Sequence, residues 1–107
     1  MTRRAAVGLA GERLAVAFLE SHGLRVVARN VEVEGGEVDI VATDRRSRIV
    51  VEVRTITGDG EPLDAYGPVK AYKVGRLARI LRADRVDLVA VRLGREAAEL
   101  RWVRGAA

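Results

Sequence analysis

The chain has 107 residues, which suits one domain with a single modest core. Charged residues make up 32% and hydrophobic residues 49%, a globular rather than a disordered balance, and no apolar run approaches the roughly 20 residues of a membrane span. Without such a run no membrane partner is expected. The net charge of +4 suits a polyanionic partner, while the absence of cysteine excludes disulfides and thiolate metal sites and favours a cytoplasmic protein.

A helix is predicted first, from about Gly8 to His22, with Gly23 as its C-terminal cap. One stripe of this helix is small or apolar, and Glu12 lies at the edge of that stripe. A strand from Leu24 to about Glu34 follows. The turn Gly35-Gly36 then leads into the next strand. The stripe consists of Gly11, Leu14, Ala15, Phe18 and Leu19.

Two acidic runs come next, Gly36–Val41 and Val50–Arg54, and both are otherwise rich in Val and Ile. The tetrad Asp44–Ser47 between them predicts a tight turn and therefore an antiparallel hairpin. If its two central arginines form the loop, Asp39 lies opposite Glu52, with Cβ atoms roughly 4.5–5.5 Å apart. Two like charges at that distance are destabilising without a cation, so the hairpin predicts a divalent metal site and phosphodiester chemistry. The alternative is a solvent-exposed face that carries surface charge.

The remaining elements follow from the turn signals and from hydrophobic periodicity. They are a loop from Thr57 to Gly67, a helix from Pro68 to about Arg82, a strand from Val86 to Arg92, a turn from Gly94 to Ala98, and a strand from Glu99 to Val103. The order α-β-β-β-α-β-β predicts a single α/β domain, a sandwich with a central mixed sheet.

The second predicted helix carries both an inward lysine and a basic ridge. Lys70 lies on the apolar stripe, one turn before Val74, where it is either functional or a lysine whose stem covers apolar surface. The basic ridge is suited to a phosphate backbone, although a solvated helix face is the alternative. Aromatic residues are only 4%, so Tyr72 and Trp102 are predicted to pack in the core rather than to stack on bases. The basic ridge consists of Lys73, Arg76, Arg79 and Arg82.

Several short sequence motifs of the chain match those of a known family and occur in the same order. They are Gly11-Glu12, Gly36-Glu37-Val38-Asp39-Ile40-Val41, Val51-Glu52-Val53-Arg54, Lys70, and Arg85-Val86-Asp87-Leu88-Val89. From about Gly8 onwards the chain resembles the YraN-like family of small bacterial proteins, usually described as endonucleases. That family looks like a minimal member of the restriction-endonuclease-like superfamily, which includes archaeal Holliday-junction resolvases and has a D…(E/D)-x-K site.

The resemblance implies an endonuclease that depends on Mg²⁺ or Mn²⁺ and acts on nucleic acid, in particular on structured or branched DNA. It implies that Asp39 and Glu52 are the metal-binding carboxylates. By the same resemblance, Glu12 is a third acid or a water-mediated ligand, and the carbonyl of Val53 is a further ligand. A homodimer is also compatible with this family.

Arg54 departs from the family pattern, which has lysine at this position. Lysine there can orient and deprotonate an attacking water, whereas arginine keeps its proton but can hold a phosphate. Lys70 is then the candidate to supply an amine. Glu37 is ambiguous, because it belongs to the family pattern but could equally pair with Arg54 at the rim. The predicted catalytic residues are Glu12, Asp39, Glu52, Arg54 and Lys70.

Three functions stay open from the sequence. The first is metal-dependent nuclease activity. The second is a nuclease-fold module that binds nucleic acid without cleaving it, which the arginine in the lysine position favours. The third is an interaction protein whose acids are only surface charge.

Overall fold

The computed structural model describes the backbone of residues 1–107 and the side chains of all but residues 64 and 65. The predicted order α-β-β-β-α-β-β is confirmed. The elements are α1 (Arg3–Ser21), β1 (Arg25–Val33), β2 (Gly36–Asp44), β3 (Ser47–Thr57), α2 (Pro68–Ile80), β4 (Arg85–Leu93) and β5 (Ala98–Val103).

Two local features differ from the prediction. Helix α1 begins earlier, at Arg3, because the Thr2 hydroxyl accepts a hydrogen bond from the Ala5 N–H at 3.0 Å and so caps the helix. It ends as predicted, since Gly23 follows it with a φ of +91°. The segment before α2 is not wholly a loop, because Pro62–Ala65 forms a 3₁₀ helix.

The five strands form one mixed sheet in the order β1-β2-β3-β4-β5. Strands β3 and β4 are parallel, and the other neighbouring pairs are antiparallel. A parallel pair needs a long crossover, which α2 supplies. The predicted hairpin turn is confirmed, because Asp44 pairs with Ser47 across two arginines, of which Arg45 has a φ of +56°.

The two helices cover opposite faces of the sheet. Residues of β3 alternate between the faces, with Val51 in the cluster under α1 and Val50 in the cluster under α2. Each fully buried aliphatic side chain contributes about 1.5–3 kcal/mol. In the described part of the chain, neither helix is long and apolar enough to cross a membrane. The cluster under α2 consists of Val38, Val41, Val50, Val74, Leu77, Ala78 and Val86.

A buried carboxylate joins the last two strands to the end of the chain. The Asp87 side chain is fully buried and accepts hydrogen bonds from Arg85 Nε at 2.9 Å, Trp102 Nε1 at 3.0 Å and the Gly105 N–H at 3.1 Å. Trp102 therefore packs, as predicted. The same prediction is wrong for Tyr72, whose residue surface is 73% exposed on the outer face of α2.

The sheet divides at one end into a fork. Strands β2 and β3 pair only as far as Ile40↔Val51. Beyond that pair, β2 stays with β1 down to Gly36, and β3 stays with β4 out to Thr57. We define the fork as the space between residues 36–39 and residues 52–57. Within the fork no ladder between β2 and β3 is described.

Candidate active site at the fork

Asp39 and Glu52 lie at the base of the fork. They are the next residues in the register after Ile40↔Val51, and their two carboxyl groups lie close enough to influence each other's ionisation. Asp39 also accepts a hydrogen bond from the Val53 N–H at 2.8 Å. This contact bridges the diverging strands and fixes the orientation of the Asp39 carboxyl group.

Burial raises the pKa of the Asp39 carboxyl from 3.8 to about 8. The nearby Glu52 carboxyl adds to this rise, while the Val53 N–H and the Arg54 guanidinium oppose it. Asp39 therefore holds a proton at neutral pH when no cation is bound. The carboxyl pair then carries about one negative charge rather than two.

Arg54 neutralises the remaining charge. Its Nη2 donates to Glu52 Oε2 at 2.6 Å, and the Glu52 side chain is only 7% exposed. Among the side chains that the structure describes, Arg54 Nε is buried without a hydrogen-bond partner. A buried donor without a partner is costly, so a movement of Arg54 that exposed this N–H to an acceptor such as a phosphate oxygen would relieve that cost.

Two lysines from α2 complete a small cavity of about 220 Å³. Lys70, which the sequence placed on the inward stripe, is exposed but lines this cavity, and Lys73 lines it as well. Lys73, which the sequence assigned to the basic ridge, thus differs from the rest of that ridge, and its stem lies beside Gly36 at the start of β2. The cavity is lined by Glu37, Asp39, Glu52, Arg54, Lys70, Lys73, Val74 and Leu77.

The rest of the basic ridge lies outside both cavities at the fork, as far as their described lining residues extend. Arg76, Arg79 and Arg82 are exposed. Arg76 turns towards the loop between β1 and β2, where its Nη2 lies 3.5 Å from the Glu34 carbonyl oxygen. Arg82 lies beyond the end of α2, with a φ of +57°.

A larger cleft of about 630 Å³ lies beside the small cavity. Sequence reasoning missed three polar residues in it, Arg4, Asn30 and Thr55. Arg4 lay outside the predicted helix, and nothing in the sequence indicated the positive φ of Asn30, although it is the only asparagine in the chain. The cleft is lined by Arg4, Val7, Gly8, Glu12, Asn30, Glu37, Asp39, Val53, Arg54, Thr55 and Lys70.

The other predicted site residues occupy less central positions. Glu12 lines the larger cleft with Asp39, but its Oε1 accepts a hydrogen bond from Arg29 Nε at 3.2 Å. Glu37 lines both cavities. Val53 also lines the larger cleft, and the group that it places on Asp39 is its N–H rather than its carbonyl.

The donor set of the fork suits a hard divalent cation. A proton on Asp39 and the Arg54 guanidinium on Glu52 offset the charge of the two carboxyl groups, and a cation could replace both. Within the described residues, no group of three or more His, Cys, Asp or Glu side chains is gathered closely enough to hold a metal. Two carboxylates with water or phosphate as further ligands is the arrangement that Mg²⁺ often takes.

Comparison with known proteins gives the family and supports the fold. A sequence model of the uncharacterised protein family UPF0102 matches residues 11–91, as the YraN-like resemblance predicted. The UPF0102 protein of Mycolicibacterium vanbaalenii is 39% identical over 115 residues, covering 97% of this chain and 95% of its own. That of Mycobacterium sp. (strain KMS) is 42% identical over 106 residues, covering 88% and 78%.

A solved structure has the same architecture. Hjc, a Holliday junction resolvase from Archaeoglobus fulgidus, is similar with a TM-score of 0.56 and 20% sequence identity, over 90% of this chain and 75% of that one. The predicted restriction-endonuclease-like fold is thus confirmed, because the α-β-β-β-α-β-β order and the mixed sheet are those of the resolvase fold.

Proposed function

The chain belongs to the uncharacterised protein family UPF0102, and from that membership and the fork we propose that it is a metal-dependent nuclease. Its substrate would be nucleic acid, in particular structured or branched DNA. The observation that carries the proposal is the pair of half-buried Asp39 and buried Glu52, which faces cationic side chains in a resolvase-like fold. A strongly perturbed carboxyl in a cleft is a frequent mark of a functional site.

In this proposal Asp39 and Glu52 are the cation ligands, with Glu12 and Glu37 as acids lining the cleft around them. Bound Mg²⁺ or Mn²⁺ would lower the pKa of a water molecule and polarise the phosphoryl oxygens. Asp39 must first release its proton, and the Val53 N–H then holds the carboxylate in place. Cation binding and proton release are thereby coupled at this residue.

Arg54 is proposed to anchor the phosphate. Arginine does not act as a base at neutral pH, but its planar group can hold two phosphate oxygens. Cation binding to Glu52 would release Arg54 Nη2, and the buried Nε has no hydrogen bond to give up when the side chain moves. The guanidinium would then stabilise the negative charge that develops at the phosphorus centre.

Lys70 is proposed to assist the chemical step. It is the inward lysine of α2 and lines both cavities. An amine at this position can orient the attacking water or protonate the leaving oxygen, which Arg54 cannot do. Lys73, which shares the small cavity, adds positive charge for binding. The exposed remainder of the basic ridge would extend that binding along the phosphate backbone.

The test is cleavage of labelled four-way junctions and linear duplexes with Mn²⁺, Mg²⁺ or EDTA. We expect cleavage that depends on the metal and that Asp39→Asn reduces by at least the roughly 10- to 100-fold typical of altered metal sites. Glu20→Gln, an exposed acid near the other end of α1, is the matched control and should cleave like the wild type. Absence of cleavage with either metal would contradict the proposal.

A second function is favoured by one specific contact. Arg54 stands where the family pattern has lysine and is bonded to Glu52 at 2.6 Å, so it competes with a cation for that carboxylate. If the competition succeeds, the chain is a module that binds nucleic acid without hydrolysing it. DNA binding that persists without cleavage under every metal condition would favour this alternative.

A further inference from the structure

The larger cleft contains polar residues for which the proposed metal chemistry has no use. In the proposed function the acids bind or surround the cation, Arg54 anchors the reacting phosphate, and Lys70 assists the chemical step. Arg4, Asn30 and Thr55 line the same cleft but lie outside the small cavity that contains Glu52. Arg4 carries only hydrogen-bond donors, and Asn30 and Thr55 carry donors as well as acceptors, whereas a site that only held metal would need acceptors.

Asn30 has an unusual backbone at an informative position. Its φ is +50° although it lies within β1. The register of Arg29↔Ile40 and Val31↔Val38 places it opposite Asp39. Left-handed residues other than glycine are costly within strands, and those that persist are concentrated at functional sites.

The same position reverses the alternation of side chains along both strands. Ala28 and Val31 pack into the cluster under α2 although they are three residues apart, and so do Val38 and Val41. A regular strand would send such residues to opposite faces. The change of face at Asn30 in β1 is therefore matched by a change of face at Asp39 in β2. The Asn30 side chain is exposed and lines the cleft.

Arg4 supplies a charge at the same cleft from another element. It lies in the first turn of α1, is exposed, and lines the larger cleft together with Asn30. Arg3 beside it carries the same charge and shares with Arg4 an adjoining surface depression, but it is not among the described residues that line the larger cleft. The two residues are therefore chemically identical neighbours, of which Arg4 lines the cleft.

We propose that Arg4 and Asn30 form a subsite for a phosphate of the nucleic-acid backbone next to the reacting one. The inference rests on the proposed function and adds contacts that it does not contain. The Arg4 guanidinium would donate to the phosphate oxygens and supply the charge, and the Asn30 amide N–H₂ would donate one neutral hydrogen bond. The subsite contacts no base, so it would position the nucleic-acid strand without giving sequence specificity.

The test is fluorescence anisotropy of labelled four-way-junction DNA with Ca²⁺ in place of Mn²⁺, over a range of salt concentrations. Arg4→Ala should weaken binding about tenfold at 0.1 M salt and lower the slope of log K against log salt by about 1, as expected for one lost phosphate contact. Arg3→Ala is the matched control, with less than about a twofold effect.

Asn30→Gly removes the amide but keeps the positive φ, so it separates contact from folding. It should bind about threefold more weakly with an unchanged melting temperature, and Asn30→Asp should bind more weakly still because it places a negative charge against the phosphate. If Arg4→Ala and Asn30→Gly both bind DNA as tightly as the wild type, the subsite is disproved and the proposed function is not affected. If the wild-type chain binds no nucleic acid, both the subsite and the proposed function are disproved.

Discussion

At the scale of single residues, Asp39 controls the pH dependence of stability. Its pKa is raised from 3.8 to about 8, so between these values the folded chain holds a proton that the unfolded chain releases. The free energy of unfolding should therefore fall as pH rises from about 4 to about 8. Urea denaturation at several pH values measures this slope.

Asp39→Asn provides the control for that pH dependence. Asparagine cannot titrate, so the variant should lose most of the fall in stability and should be more stable than the wild type near pH 8. An equally steep fall in the variant would place the titrating group elsewhere.

The chemistry at Arg54 and Lys70 gives a second prediction at this scale. Arg54→Lys restores the pattern of the family, and we expect its cleavage rate to equal or exceed that of the wild type.

Lys70→Ala should lower kcat more than it weakens DNA binding, because its proposed role is confined to the chemical step. Single-turnover cleavage and anisotropy with the same DNA measure the two quantities separately. Equal losses in both would make Lys70 a binding residue only.

Residue types and spacing predicted some of the site but not all of it. A two-residue turn fixes the register of a hairpin, so the approach of Asp39 to Glu52 followed from counting residues. Lys73 and Arg4 could not be assigned to the fork, because their positions depend on where each helix crosses the sheet. Asn30 was missed because its conformation is imposed by tertiary structure and leaves no signature in its neighbours.

At the scale of elements, Gly11 determines how closely α1 approaches the fork. A Cβ at Gly11 would lie 1.9 Å from Thr55 Oγ1 on β3, much closer than packed atoms allow. Gly11→Ala should therefore push α1 away from β3, cost about 1–3 kcal/mol, and displace the adjacent Glu12 from the cleft. Chemical denaturation measures the loss of stability.

Gly8→Ala is the matched control for this helix. A Cβ there meets nothing within 4 Å, so the variant should gain about 0.5–1 kcal/mol from its better helix propensity. Replacing Thr55 by alanine in the Gly11→Ala background removes two of the three nearest atoms and should restore part of the loss. Similar effects of Gly8→Ala and Gly11→Ala would disprove the close contact.

Elements with strong periodic patterns were predicted, and those with weak signals were not. The strands of the hairpin carry dense Val and Ile, and α2 carries both a proline at its start and an apolar stripe. The start of α1 was placed too late because its first turn contains arginines and no acid, so the usual N-terminal signal is lacking. The 3₁₀ helix over Pro62–Ala65 was missed because Gly58 and Gly60 precede it and a proline begins it, which together are typical of a loop.

At the scale of the whole molecule, the fork explains why residues far apart in sequence meet. Where β2 and β3 diverge, α1 contributes Glu12 and Arg4 from one face, and α2 contributes Lys70 and Lys73 from the other. Four basic side chains, those of Arg4, Arg54, Lys70 and Lys73, therefore surround the acids Asp39 and Glu52. A polyanion would be attracted to the rim, while its binding at the centre would be opposed unless a cation neutralises those acids.

The central claim is that Asp39 and Glu52 bind a divalent cation, and the most direct measurement is thermal stability as Mn²⁺ is added in the absence of DNA. At 100 times the dissociation constant the ion should contribute about 2.7 kcal/mol, so the wild-type melting temperature should rise with concentration and saturate. The Asp39→Asn, Glu52→Gln double variant should not respond. An equal rise in both proteins would show that the ion binds elsewhere and would contradict a metal site at the fork.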